Sequence, residues 1–156
     1  MKTIFSIILS ALFTITSSCV RPQEVASEIK AQNMLLDFYS KLFYIYENDS
    51  ITYSVPAEVR HEKLDSLISI YCTTRLRDKA NEIMEDGYGH DLLTNDLVGD
   101  LNENLKVEKD SGIENSYVVS FNATYSDAPR GSIPKQVLLH VTLVKEGESY
   151  KIDFVR

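Results

Sequence analysis

Hydrophobic residues in the first half of the chain recur every three or four positions, the spacing of one face of an α-helix. The longest such stretch runs from Val25 to Tyr46 and predicts a long helix that ends at Asn48-Asp49-Ser50. Pro56 stands near the start of a second helix, and Thr73-Thr74 can cap a third, which Gly87 and Gly89 stop. The residues expected on the buried faces of these helices are Val25, Ile29, Leu35, Leu36, Tyr39, Leu42, Phe43 and Tyr46, then Leu64, Leu67, Ile68 and Tyr71, then Leu76, Ala80, Ile83 and Met84.

The period changes to two after Leu105. The pattern predicts a strand with one buried face, in which Tyr117, Val119, Phe121, Ala123 and Tyr125 alternate with Val118, Ser120, Asn122 and Thr124. Residues 126–134 are expected to form a turn-rich connection, and two further strands follow. Three helices followed by an antiparallel sheet predict an α+β fold in which the helices pack in the concave face of a curved sheet.

The last two strands can be aligned by their hydrophobic pattern. A loop centred on Glu146-Gly147 places every bulky apolar residue on one face of the hairpin. In that register His140 lies opposite Asp153 on the outer face, and Asn122 joins the row if Phe121 lies beside Val141. The predicted pairs are Leu143 with Tyr150, Val141 with Ile152, and Leu139 with Phe154.

The N-terminus has the features of an export signal. Lys2 precedes an apolar run from Ile4 to Ile15, which is too short to span a bilayer and is followed by small residues that abut Cys19. The segment resembles the lipobox of bacterial lipoproteins, with Thr16 where leucine is usual. The resemblance implies a signal peptide over residues 1–18, lipid on Cys19 and, because Val20 follows, an outer-membrane anchor with the domain in the periplasm. Ordinary secretion is the alternative.

Residues 19–24 are then a linker, and residues 25–156 form one domain. The chain has a formal net charge of −7, which becomes −8 when Lys2 is removed with the signal peptide. An acidic surface repels phosphate, so nucleic acid is not an expected partner. Cys72 follows an apolar stretch and is expected to be a buried, inert thiol.

The polar segment 86–100 is the preferred binding site, since irregular segments on a rigid scaffold often carry function. Its spacing fits neither an EF-hand nor a zinc pair, so no metal and no cofactor are expected. No catalytic residue is assigned: the His140 row reads as a surface pair, His61 as solvated, and no nucleophile motif is present. The candidate binding residues are Asp86, Tyr88, His90, Asp91 and Asp96.

The element order resembles the cone-shaped superfamily of nuclear transport factor two, ketosteroid isomerase and scytalone dehydratase. The segment from Asp86 to Asp96, coming after Leu76-Arg77, is also similar to small Bacteroides lipoproteins with a domain of unknown function, although Asn95-Asp96 replaces their glutamine-aspartate pair. Enzymes of the cone superfamily place Asp, His and Tyr inside the cone. The residues expected to face inward here are apolar or aromatic: Tyr117, Phe121, Leu139, Val141, Ile152 and Phe154.

These observations favour a non-enzymatic, lipid-anchored envelope protein that binds a protein or a small ligand. One alternative is a periplasmic immunity protein whose acidic surface meets a basic toxin from a competing cell, because complementary charge accelerates encounter. The rival class is a cone-fold isomerase or hydratase. It needs at least two ionisable side chains in the pocket, whereas binding needs only an apolar lining.

Overall fold

Three helices precede four strands in the computed structural model, which describes residues 22–52, 56–85, 93–94, 103–127 and 131–156. The helices pack against a four-stranded antiparallel sheet, so the predicted α+β architecture is confirmed. The elements are α1 (Pro22–Thr52), α2 (Ala57–Tyr71), α3 (Thr74–Glu85), β1 (Glu103–Lys109), β2 (Ser116–Asp127), β3 (Gly131–Glu146) and β4 (Ser149–Val155).

Helix α1 packs on the sheet through one face but differs from its prediction at both ends. It continues through Asn48-Asp49-Ser50 to Thr52, since turn-forming residues only weakly oppose an established helix. Val25 and Ile29, predicted to be buried, are 44% and 51% exposed. In the first turns the side chain that contacts the sheet is instead Ser27, through Tyr150. The buried positions of α1 are Ala31, Leu35, Phe38, Tyr39, Leu42 and Phe43.

The junction of α2 and α3 follows the prediction. Helix α2 starts after Pro56, whose carbonyl accepts backbone hydrogen bonds from Val59 and Arg60. At the start of α3, the Thr73 hydroxyl accepts a hydrogen bond from the backbone N–H of Leu76 at 3.3 Å. Thr73 therefore caps α3 as expected. The buried residues of the two helices are Leu64, Leu67, Ile68, Leu76 and Ala80.

The sheet has the strand order β1-β2-β3-β4, with each strand antiparallel to its neighbours in the sheet. Strand β1 was not predicted, although Leu105 and Val107 alternate with charged residues. The segment 126–134 was predicted as a turn-rich connection, and this was wrong for residues 126–127 and 131–134, since the ladder of β2 and β3 continues to the pair Asp127–Gly131.

Hairpin β3–β4 has a different register from the predicted one. Leu143 pairs with Ile152 and Val141 with Val155, around a two-residue turn in which Gly147 has a φ of +63°. The prediction was wrong for two reasons. The turn is centred on Gly147-Glu148 and not on Glu146-Gly147, which moves every partner by two residues, and Asp153 is an extra residue that forms a β-bulge, which moves the partners beyond it by one more. Beyond the bulge Val155 is buried at 2% exposure, and Phe154, predicted to face inward, is 40% exposed.

Asp153 explains where the bulge lies. Its carboxylate accepts a hydrogen bond from the Thr73 hydroxyl at 2.9 Å and pairs with the guanidinium of Arg75. The backbone N–H of Thr73 also donates to the carbonyl of Ile152 at 2.8 Å. The junction of α2 and α3 therefore covers part of the open edge of β4, and the bulge supplies the side chain that holds it there.

The core lies between α1 and the inner face of the sheet. Phe43 of α1 meets Phe121 of β2 edge-to-face, with ring centroids 4.8 Å apart. The other inward residues of the strands include Tyr117, Val119, Leu139, Val141 and Ile152, as predicted. Within the described ranges, no helix combines the length and the hydropathy that crossing a bilayer requires.

Candidate binding groove at the start of helix α1

The five predicted binding residues, Asp86, Tyr88, His90, Asp91 and Asp96, lie outside the described residues, as does Cys19. Two residues of the same polar segment are described. Leu93 and Thr94 form a turn, and both are buried, with Leu93 part of the hydrophobic core. These two residues are therefore buried against the domain.

The predicted row of His140, Asp153 and Asn122 does not form. In the observed register His140 lies opposite Val118, and Asn122 lies opposite Gln136. The partner of His140 is Asp110, with 3.3 Å between His140 Nδ1 and Asp110 Oδ2. Asp153, which was predicted to lie opposite His140, instead lies nearer the turn, between the partners of Thr142 and Leu143.

Asp110 belongs to the turn between β1 and β2. Its other carboxylate oxygen accepts a hydrogen bond from the backbone N–H of Gly112 at 3.0 Å. That bond, together with the neighbouring His140, holds the pKa of Asp110 below its ordinary value because both stabilise the ionised form. The pair ties the outer face of β3 to the turn, which is a structural role.

A concave surface surrounds the first turns of α1. It consists of two adjoining clefts, of about 570 and about 380 Å³, which share Glu24, Ser27 and Tyr150. We refer to the two together as the α1 groove. The first cleft is lined by Gln23, Glu24, Ala26, Ser27, Lys30, Lys145, Glu148 and Tyr150, and the second by Glu24, Ser27, Glu28, residues 109–115, Tyr117 and Tyr150.

The topology of the sheet brings these residues together. In an antiparallel sheet the β1–β2 turn (110–115) and the β3–β4 turn (147–148) lie at the same end, and α1 starts between them. The Ser27 hydroxyl is hydrogen-bonded to the Tyr150 hydroxyl, and the Lys30 ammonium donates to the backbone carbonyl of Glu148. These two bonds fix the start of α1 against hairpin β3–β4.

Tyr117 forms the floor of the second cleft. Burial raises the pKa of its phenol to about 12, and the nearby Glu28 carboxylate and Tyr150 act in the same direction. The Lys109 ammonium lies 4.7 Å from the centroid of the Tyr117 ring, within cation–π distance. The phenol is therefore a neutral group at physiological pH that can donate a hydrogen bond.

The groove carries both signs of charge beside hydroxyl groups. Lys30 and Lys145 line the first cleft together with Glu24 and Glu148. Such a surface can bind polar or zwitterionic groups through charge-assisted hydrogen bonds. Among the described residues, no group of three or more His, Cys, Asp or Glu side chains is placed to hold a metal ion.

Sequence reasoning missed this groove. Ser27 and Tyr150 are 123 positions apart and belong to no motif. Recognising the site required knowing which ends of which elements meet.

The comparisons with known proteins show the fold. The solved structure of a protein of unknown function from Bacteroides thetaiotaomicron matches with a TM-score of 0.64 and 22% sequence identity, over 86% of this chain and 95% of that chain. No family model matches the chain, and neither does any curated protein. The chain therefore shares its α+β architecture with a Bacteroides protein of unknown function.

Proposed function

We propose that the mature chain is a lipid-anchored envelope protein that binds a protein or a small ligand and does not catalyse a reaction. The supporting observation is the filled interior. Phe38, Tyr39, Phe43 and Phe121 are almost completely buried between α1 and the sheet, where a cone-type isomerase or hydratase would need an open pocket. The concave surfaces described above open to the outside instead.

The same arrangement supports a finer proposal about ancestry. Helices on one face of a curved antiparallel sheet are the plan of the cone superfamily named above. The chain would then keep the cone scaffold with its interior packed by aromatic residues. Function on such a scaffold depends on the site, and the fold alone does not assign one.

The anchor rests on the sequence. Lys2, the short apolar run and the small residues before Cys19 support cleavage after Ser18 and acylation of Cys19. Several acyl chains, at about 0.8 kcal/mol per buried methylene, would hold the domain durably on a membrane. The outer membrane and the periplasm are the proposed location.

Metabolic labelling tests the anchor. Cells that express the full chain are fed an alkyne analogue of palmitate, and the protein is purified and probed for the label. Cys19→Ala should abolish labelling, while the matched variant Cys72→Ala should leave labelling intact. Equal labelling of the Cys19→Ala variant would refute the anchor.

Binding is tested separately with the soluble domain from Val20 onward. Wild type is compared with a groove variant, Lys30→Glu with Lys145→Glu, and with a segment variant, Asp91→Asn with Asp96→Asn. The control is Lys63→Glu on the exposed face of α2. We expect one of the two test variants to lose a partner or ligand that wild type and the control retain from envelope extract. If no component is retained by wild type above the background of a denatured domain, the binding proposal fails.

A further inference from the structure

We infer that the domain stands on the membrane with the start of α1 and the turns 110–115 and 147–148 directed toward the bilayer, and the β2–β3 hairpin directed away from it. The inference rests on the proposed acylation of Cys19. It adds what that proposal does not contain: which surface of the domain faces the lipid and which remains free for partners.

The length of the tether limits the arrangement. Only Val20 and Arg21 separate Cys19 from Pro22, the first residue of α1. Three residue steps span at most about 11 Å when fully extended. With acyl chains on Cys19 in the bilayer, the first turn of α1 is held within roughly that distance of the lipid headgroups.

The contacts of α1 determine what else lies at this end. Ser27 and Lys30 bind residues of the β3–β4 hairpin, so the turn 147–148 is fixed beside the start of the helix. Phe43, sixteen residues after Ser27 in the same helix, packs on Phe121, which lies in the part of β2 away from the two turns. Sixteen residues of helix rise about 24 Å, so α1 runs from the tethered end up the inner face of the sheet.

Charge opposes the alternative in which the domain lies flat. The mature chain has a formal net charge of −8. A domain lying on its side would bring more of this acidic chain against anionic headgroups than an upright domain, which exposes only one end to them. The α1 groove then opens next to the headgroups.

The position of β1 shows which end of the sheet stays accessible to a partner in this orientation. Strand β1 starts at Glu103, opposite Asn122, and ends at Lys109, opposite Tyr117 at the tethered end. Six residues of strand span about 20 Å, so the polar segment that precedes β1 joins the sheet at that height above the turns. The start of β1 therefore lies on the membrane-distal side of the sheet, where a partner has access from the aqueous phase.

Energy transfer to the membrane surface tests the orientation. Acylated protein in a Cys72→Ala background is labelled with a donor at Glu148→Cys or Glu114→Cys, in the two turns, or at Gln136→Cys on β3. All three positions are exposed. The labelled proteins are reconstituted into vesicles of phosphatidylethanolamine and phosphatidylglycerol that carry an acceptor on the headgroups. Ten residues of β3 separate position 136 from the β3–β4 turn, a height of about 30 Å.

We expect strong transfer from positions 148 and 114 and weak transfer from position 136. Insertion of a flexible linker of about 20 residues after Arg21 should reduce the difference, since such a linker has a mean span of about 25 Å. Equal transfer from all three positions, stronger transfer from position 136, or no effect of the linker would overturn the orientation while the anchor stands. Failure of the protein to sediment with vesicles would instead overturn the anchor and the orientation together.

Discussion

Cys72 lies at the last turn of α2, with its backbone N–H bonded to the carbonyl of Ile68 at 2.8 Å. Burial raises the pKa of its thiol to about 12. Because the thiolate is the reacting species, the folded domain should resist alkylation by iodoacetamide at about pH 8 and react completely in urea. The measurement is a mass-spectrometric count of adducts on the domain without Cys19. Ser69→Cys, on the exposed side of the same helix, provides a thiol that should react in the folded state, and equal rates for the two thiols would contradict the prediction.

Thr73 makes two side-chain hydrogen bonds, accepting from the N–H of Leu76 and donating to Asp153. Thr73→Ala removes both, leaving an uncapped helix start, and should lower the free energy of unfolding by about 1–2 kcal/mol. Thr73→Ser keeps the hydroxyl and should retain most of that stability. Urea denaturation followed by circular dichroism measures the difference. If the serine variant is as unstable as the alanine variant, the loss comes from the methyl group and not from the hydrogen bonds.

At the residue level, the features that could be predicted were local ones. The threonine before α3 and the apolar residues before Cys72 indicated a cap and a buried thiol within a few positions of sequence. The partner of His140 could not be found in this way. Asp110 and Asp153 were both available as acidic partners, and the choice depends on where the β3–β4 turn falls and on how the β1–β2 turn folds.

At the scale of the elements, hydrophobic periodicity predicted the buried residues correctly where an element packs along its whole length. The inner face of β2 and the buried face of α2 follow their periods without interruption. Strand β4 does not, because Asp153 is pulled out of the ladder by Thr73 and Arg75, about 80 positions earlier in the chain. The hydrophobic pattern of β4 alone therefore could not predict the bulge.

The register of β4 can be tested by two matched substitutions. Val155→Thr keeps the size and strand preference of the side chain but buries a hydroxyl, so we expect a loss of about 1–3 kcal/mol in the free energy of unfolding. Phe154→Thr changes a side chain that is 40% exposed on the other face and should cost less. Denaturant titrations of both variants provide the comparison. The opposite ranking would support the uninterrupted register, in which Phe154 faces the core.

At the scale of the whole molecule, the architecture was predictable and the groove was not. The order of helices and strands alone indicated helices packed on an antiparallel sheet. The α1 groove depends on three separate segments meeting at one end of that sheet: the start of α1, the β1–β2 turn and the β3–β4 turn. Each segment is an ordinary polar surface in the sequence, and their proximity exists only in the fold.

The stability of the whole domain should depend on pH through two buried groups, the Cys72 thiol and the Tyr117 phenol. Burial raises the pKa values of Cys72 and Tyr117 from 9.0 and 10.0 to about 12. Both groups are neutral when protonated, so the folded state holds protons that the unfolded chain has already released. Their contribution to stability is therefore complete below about pH 9 and is lost as the pH rises toward 12.

Removing one of these groups should flatten the alkaline part of the profile. Tyr117→Phe preserves the buried ring and its packing but eliminates the phenol, and Cys72→Ala eliminates the thiol. We expect each variant to lose less free energy of unfolding than wild type between about pH 9 and 12, even if its stability at neutral pH differs. Urea titrations at closely spaced pH values measure this slope. Parallel curves for wild type and both variants would mean that neither group titrates differently in the folded and unfolded states, and the burial of Tyr117 beneath the groove would then be in error.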